Sequence, residues 1–324
     1  MKRILITGGA GFIGSHLVRK LQEADPGARL LIVDDFRTGT FANLSSEGSD
    51  GWAFHGEVIA RRLSEVDLLD LADDFDPEII FHQASITDTT VTDEARMIEE
   101  NVEPFQSLVA IAVQRGARLV WASSAATYGC HAGGAVDARR PFRLEDAGHP
   151  ANAYGFSKWV MENVHRRALA EHPEAQLVGL RYFNVFGPGE WNKAHMASMI
   201  YQLAVQMLAG RPPRIFHDGE QARDHIYVRD VVEATVAAAA GARSGIYNVG
   251  TGTATTFNRL VAVLNEALGT HFEPEYFDNP YPFYQDYTCA DLTETLAALD
   301  WSPRTPTESA IGEYGRLLRA KEGR

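Results

Sequence analysis

The sequence predicts an α/β protein, a Rossmann-type doubly wound parallel sheet joined to a smaller mixed α/β substrate domain. Three observations predict it. Short apolar runs alternate with helix-length segments from the N-terminus to about residue 182, and such alternation builds a parallel sheet covered by helices on both faces. The first run, Ile4-Leu5-Ile6, leads directly into Thr7-Gly-Gly-Ala-Gly-Phe-Ile-Gly14 and then into a helical segment. The second run, Leu30-Leu31-Ile32-Val33, ends in Asp34, 20 residues after Gly14.

Taken in order, strands are predicted over residues 4–7, 30–34, 78–83, 119–123 and 177–182. Helices are predicted over 15–24, near 58–63, and over 94–115 and 154–172. The unusual stretches 8–14, 34–39, 82–90 and 123–128 all follow strands, where an open parallel sheet places its ligand crevice. Beyond Tyr182 the alternation loosens. Gly187-Pro188-Gly189 and Gly210-Arg211-Pro212-Pro213 read as turns. A helix is predicted over 196–209, strands over 225–228 and 245–249 around a helix at 231–241, and further helices over 257–268 and 307–319. A loop rich in Pro, Asp and Tyr covers 278–286. There is no repeat and no low-complexity linker. The expected division is a dinucleotide domain of residues 1–182 plus about 224–250, and a substrate domain of 183–223 and 251–324, with the cleft between them.

Bulk properties narrow the function classes. The 324 residues, 45% hydrophobic, suffice for a large core. A net charge of −13 argues against nucleic acid as partner. No apolar run reaches the roughly 18 residues of a membrane span. Only three apolar residues follow Met1-Lys2-Arg3 before Thr7, too few for a signal peptide. The two cysteines, Cys130 and Cys289, form neither a disulfide framework nor a metal cluster and have no basic neighbour in sequence to activate them. A cytoplasmic protein with no metal is the expectation.

The chemistry begins with the glycines at 8, 11 and 14. A strand that turns abruptly into a helix beneath a pyrophosphate leaves no room for side chains there, and the helix N-terminus offers unpaired N–H groups to the phosphates. An acid at the end of the second strand grips the adenosine ribose, the role open to Asp34. Tyr154 and Lys158 are four residues apart in a helical segment and so share a face. The ammonium is expected to lower the phenol's pKa, and the phenol to exchange the proton of a substrate hydroxyl while hydride moves to a nicotinamide. Ser124, just past a predicted strand, supplies a third hydroxyl or, alternatively, caps a turn. His82 reads as a packing residue beside the cofactor rather than a metal ligand.

With Thr7 in front, the G-x-x-G-x-x-G turn resembles that of the short-chain dehydrogenase/reductase superfamily. Further stretches resemble its extended members acting on nucleotide sugars: Ala122-Ser-Ser-Ala-Ala-Thr-Tyr-Gly129, Tyr154-Gly-Phe-Ser-Lys158, Arg181-Tyr-Phe-Asn-Val-Phe-Gly-Pro188, Arg223-Asp-His-Ile-Tyr-Val-Arg-Asp230 and Tyr247-Asn-Val-Gly-Thr-Gly252. The resemblance implies a catalytic trio of Ser124, Tyr154 and Lys158. It implies dinucleotide contacts from Gly8, Gly11, Phe12, Ile13, Gly14, Asp34, Asp35 and Arg37. Gln83, Ala84, Ser85, Asn101, Ser123 and Val185 complete that set with Tyr154 and Lys158, Ala84 and Asn101 on the nicotinamide side. Thr87, Ser124, Asn184, His195, Gln202, Phe216, Arg223 and Tyr284 are implied to meet a nucleotide-diphosphate sugar. Dehydratases of the group carry an Asp-Glu pair where this chain has Ala125-Ala126, so the resemblance favours epimerisation.

Within the group, 123–129, Lys193-Ala-His-Met-Ala-Ser198 and Tyr284-Gln-Asp-Tyr-Thr-Cys-Ala-Asp-Leu-Thr293 resemble the ADP-glycero-manno-heptose 6-epimerases. There a lysine at the position of Lys193 is a second acid/base. The chain departs from that family at His195, where the family has serine, and at Gln202, where it commonly has histidine. The family also favours NADP through lysines after the second strand. This chain has no lysine from residue 21 to residue 157. Asp34 and Asp35 repel a 2′-phosphate and Arg37 attracts one, which favours NAD, with NADP the alternative. UDP-hexose 4-epimerisation is the rival activity, and a non-catalytic dinucleotide sensor the rival class. A homo-oligomer is implied by the likeness of segments 94–115 and 154–172 to subunit-pairing helices.

Overall fold

The structure is a computed structural model and describes residues 1–45, 52–130, 139–279 and 284–322. Strands β1 (Arg3–Thr7), β2 (Arg29–Asp34), β3 (Glu57–Ala60), β4 (Ile79–His82), β5 (Arg118–Ser124), β6 (Leu177–Tyr182) and β10 (Gly245–Val249) form one sheet in the order β10-β6-β5-β4-β1-β2-β3. Every pairing in it is parallel. The central strands are apolar throughout because both faces are covered. One core packs Ile4, Ile6, Leu17, Ile32 and Val231; the other packs Leu5, Leu31, Phe105, Trp121 and Met161. The strand order reverses at β1, which lies between β2 and β4, so the crevice opens between the carboxyl ends of β1 and β4.

The helices of this part are α1 (Phe12–Ala24), α2 (Leu68–Phe75), α3 (Glu94–Asn101), α4 (Glu103–Arg115), α5 (Ala153–Glu171) and α7 (Val228–Gly241). Two predicted elements need correction. The segment near 58–63 is not a helix but edge strand β3, paired with β2. Its residues Glu57, Val58 and Ala60 are exposed, so an apolar pattern is missing and only the neighbouring strand makes it extended. The helix instead follows at α2, where Asp67 accepts hydrogen bonds from Leu69 N and Asp70 N, both 3.1 Å. The segment 94–115 is two helices, not one. It breaks at Val102, because Pro104 has no N–H to continue the ladder and opens α4 instead.

The second lobe holds β7 (Asn184–Phe186), β8 (Arg214–Phe216), β9 (Ala222–Tyr227), β11 (Ala254–Thr256) and β12 (Glu275–Phe277). Its helices are α6 (Met199–Leu208), α8 (Phe257–Leu268), α9 (Thr293–Ala298) and α10 (Thr307–Glu322). Strands β11-β9-β7 form one small sheet and β12-β8 another. Most of these strands are three residues long and escaped the sequence reading, which placed the β9 strand at 225–228. Its core unites Phe186, Ile200, Phe257, Leu260 and Tyr314. Residues 280–283 of the loop expected over 278–286 lie outside the described residues. Among the described residues no helix is long and apolar enough to cross a membrane.

Candidate active site

The glycine turn closes on itself. Gly8 has φ +71°, and a Cβ there would lie 2.6 Å from Ala84 N; one on Gly14 would lie 2.0 Å from Gly8 O. Strand β1 and the residues after β4 therefore touch backbone to backbone at the switch point. Asp34 braces the same turn: its carboxylate accepts from Ala10 N and Phe36 N, both 2.8 Å. Burial pushes its pKa up against those bonds. Asp35 pairs with Arg37 at 2.8 Å. Phe12 is buried and Ile13 half-buried behind the turn.

Several features fit a dinucleotide here. Helix α1 starts at Gly11 with no side-chain cap and no acidic residue in its first turn, which leaves its N–H groups to an anion. A Cβ on Gly11 would meet only Gly8 O, at 3.3 Å. Ser85 Oγ is buried with no hydrogen-bond partner among the described residues. Gln83, Ala84 and Ser85 are half-buried along the wall after β4, and Ala84 N donates to Thr7 Oγ1 at 3.3 Å. Asn101 supports this wall from behind. Wholly buried, it accepts from Ile86 N (2.7 Å) and donates to Ile86 O and Ser157 Oγ, both 3.1 Å. His82 Nδ1 lies 2.7 Å from Thr7 Oγ1, and burial drives its pKa down to about 3.

The trio meets at the end of β5. Asn152 caps α5 by accepting from Gly155 N at 2.8 Å. Gly155 lets that helix sit against the 3-10 turn Ala125–Tyr128, since a Cβ there would lie 2.7 Å from Ala126 O. This contact brings Tyr154 beside Ser124, with which its phenol hydrogen-bonds. Ser124 Oγ also accepts from Ala126 N at 3.1 Å, so it is both turn cap and neighbour of the tyrosine. Lys158 is buried; its Nζ donates to Ala122 O at 2.8 Å and lies 5.9 Å from the Tyr154 ring centre.

The electrostatics correct one expectation. The Tyr154 phenol is not lowered but pushed up, by burial, with the Ser124 hydrogen bond opposing. Burial also pulls Lys158 down, to about 7. Desolvation disfavours the charged form of each group, and for Tyr154 it outweighs the Ser124 hydrogen bond.

Lys193 enters from the other lobe, on the 3-10 turn Glu190–Met196. Its Nζ lies 5.6 Å from the Phe12 ring centre, above the first turn of α1, into which the glycine turn leads. His16 Nε2 lies 2.8 Å from Pro188 O and ties the same loop to α1. His195 Nε2 lies 3.2 Å from Asp88 Oδ2, beside the exposed Thr87. Gln202 Nε2 donates to His195 O (3.1 Å) and Ala197 O (2.7 Å). Farther along, Phe216, Arg223 and Tyr284 come together: the Phe216 and Tyr284 ring centres are 5.2 Å apart, and Arg223 lies 4.9 Å over Tyr284. Asn184 donates to Asp224 O (3.1 Å) and Thr288 Oγ1 (3.0 Å), with half-buried Val185 next to it.

Sequence reasoning missed the network behind the trio. Glu162 accepts from Ser123 Oγ, Arg181 Nε, Arg181 Nη2 and Arg166 Nη2, each at 2.7 Å. Arg181 Nη1 donates to Tyr128 Oη at 2.8 Å, and Tyr128 Oη to Asn248 Oδ1 at 2.7 Å. A signal existed: Glu162 is one helical turn past Lys158, an acid on the buried face. Burial pushes Cys289 up to about 11 and Cys130 upward as well. Among the described residues no three His, Cys, Asp or Glu side chains are grouped to hold a metal.

A glycine turn at the switch point, a Tyr–Lys pair one helical turn apart and a serine at the next strand end define an extended short-chain dehydrogenase/reductase. Residues 4–250 match the model of the NAD dependent epimerase/dehydratase family, and the chain belongs to that family. Solved structures agree. ADP-L-glycero-D-manno-heptose-6-epimerase of Helicobacter pylori is 36% identical with a TM-score of 0.85, over 98% of this chain and 96% of that one. UDP-glucose 4-epimerase of Thermotoga maritima, with UDP-glucose, is 28% identical with a TM-score of 0.87, over 98% and 99%. UDP-glucose 4-epimerase of Thermus thermophilus, complexed with NAD, is 26% identical with a TM-score of 0.81, over 98% and 99%.

Proposed function

We propose that this chain inverts C6 of an ADP-glycero-manno-heptose, with Tyr154 and Lys193 as two acid/bases, Lys158 as electrostatic partner and Ser124 as hydroxyl orienter. The observation that carries the reading is Lys193 reaching over Phe12 from a different lobe than Tyr154. When bound, a nicotinamide dinucleotide supplies a transient acceptor for hydride. Gly8, Gly11, Gly14, Asp34 and Ser85 would hold it, NAD rather than NADP because Arg37 is already neutralised by Asp35.

The chain's own residues handle the protons. The Tyr154 phenolate takes the proton of the substrate hydroxyl and becomes the neutral phenol, with Ser124 Oγ orienting that hydroxyl. The charge of that phenolate is met by the protonated form of Lys158. Once the ketone has turned, its oxygen no longer faces Tyr154, and Lys193 exchanges the second proton. Phe216, Arg223 and Tyr284 suit a nucleotide diphosphate, with stacking faces and a buried cation. The reading includes a cytoplasmic homo-oligomer paired through α3, α4 and α5, two intimate lobes, and no nucleic-acid partner.

The test is to denature purified protein, identify the released nucleotide, and follow C6 of ADP-glycero-manno-heptose by NMR with fresh enzyme. Inversion that disappears in Lys193→Met supports the proposal. Turnover of UDP-glucose that survives Lys193→Met overturns it in favour of the 4-epimerase.

A further inference from the structure

Residues 187–198 carry Lys193, and both ends of the segment are tied to one carboxylate. Gly187 N donates to Glu190 Oε1 at 3.1 Å. Ser198 N donates to Oε2 at 2.5 Å and Ser198 Oγ to Oε1 at 2.9 Å. Glu190 is wholly buried, at 0% exposure. A buried carboxylate is costly unless hydrogen-bonded donors surround it, and here three donors come from its own segment, with Tyr314 of α10 beside it. The backbone between is bent: Gly189 has φ +96°, and Ala194 has φ +48° with ψ −125°. Such a bend persists only when its surroundings hold it.

Glu190 and Lys193 are also three residues apart in a 3-10 turn. In that helix, i and i+3 eclipse, so the two side chains leave the same edge of the turn, and the carboxylate's charge acts on the ammonium across it. We propose that Glu190 is the positioning residue that presents Lys193 to the cleft, closing the segment at both ends and lending the ammonium its negative charge.

The groups facing Glu190 are Lys193 on its own turn, Tyr201 on α6 and Tyr314 on α10. Burial lowers Lys193 and Glu190 raises it. Burial raises Glu190, and Lys193 with the three hydrogen bonds lowers it. The proposal rests on Lys193 acting as second acid/base, but its test reads Lys193 itself rather than turnover.

Trace labelling with acetic anhydride across a pH series, followed by mass spectrometry, gives the titration midpoint of Lys193. In Glu190→Gln the midpoint falls by about one pH unit, as expected for loss of an opposite charge on the same turn. An unchanged midpoint in the folded variant overturns the proposal. The reciprocal measurement leaves Glu190 in place and needs no fragile variant. In Lys193→Met, the 13C-carboxyl midpoint of Glu190 rises by a similar amount, and an unmoved midpoint overturns the proposal equally. A shifted Lys193 midpoint in an enzyme that fails to invert the heptose removes the proposed substrate and keeps Glu190's role.

Discussion

Glu162 and Arg181 meet through two hydrogen bonds of 2.7 Å each, and neither side chain is more than 1% exposed. Burial acts against both charges. The hydrogen bonds and mutual attraction outweigh it, holding the carboxyl below its usual range and the guanidinium above. The pair joins α5, which carries Tyr154 and Lys158, to β6, and through Ser123 to the strand that ends in Ser124.

Removing one partner strands the other charge. Glu162→Gln is therefore expected to cost about 3–5 kcal/mol of unfolding free energy, read from urea denaturation. A loss below about 1 kcal/mol would mean that water reaches and solvates the stranded Arg181 guanidinium.

Tyr154→Phe keeps the ring and deletes the proton carrier. Turnover should fall by about 10²–10⁴-fold, with the dinucleotide still recovered from denatured protein. Lys158→Met should also abolish turnover, yet raise the stability of cofactor-stripped protein at pH 7. The reason is that Lys158, pulled down to about 7, binds its proton more weakly folded than unfolded. Equal thermal midpoints for parent and variant would contradict that.

Gly14→Ala places a Cβ 2.0 Å from Gly8 O. The turn must open, so the purified variant should carry no dinucleotide. Recovery of a full equivalent would mean that the turn has slack.

Three histidines are buried with lowered pKa: His82 to about 3, His165 to about 4 and His225 to about 3, each chiefly by burial. The unfolded chain binds protons at these sites near pH 6.5, while the folded chain does not. Stability is thus full above about pH 6.5 and falls steadily as pH drops toward 4. His225→Phe should flatten part of that slope, and a slope identical to the parent's would remove His225 from the account.

Much of the cofactor side was legible because its signals are local. A strand, three glycines and an acid lie within residues 4–34, and their spacing alone constrains the backbone. The same holds for Tyr154 and Lys158, whose shared face follows from helix geometry. Edge strand β3 is not legible in sequence because its pairing with β2, not its exposed side chains, makes it extended.

What the sequence by itself determined is the class: the parallel sheet, its switch point, and which residue types stand at the strand ends. What only the tertiary structure decided is the state of those residues. That Tyr154 is pushed up rather than down, that Asp34 is bonded to Ala10 and Phe36, and that Glu162 and Glu190 brace Ser123 and Lys193's turn depend on burial and on partners between two and 39 positions away in the chain. Desolvation and long-range hydrogen bonds are properties of packing, and no short window of sequence contains them.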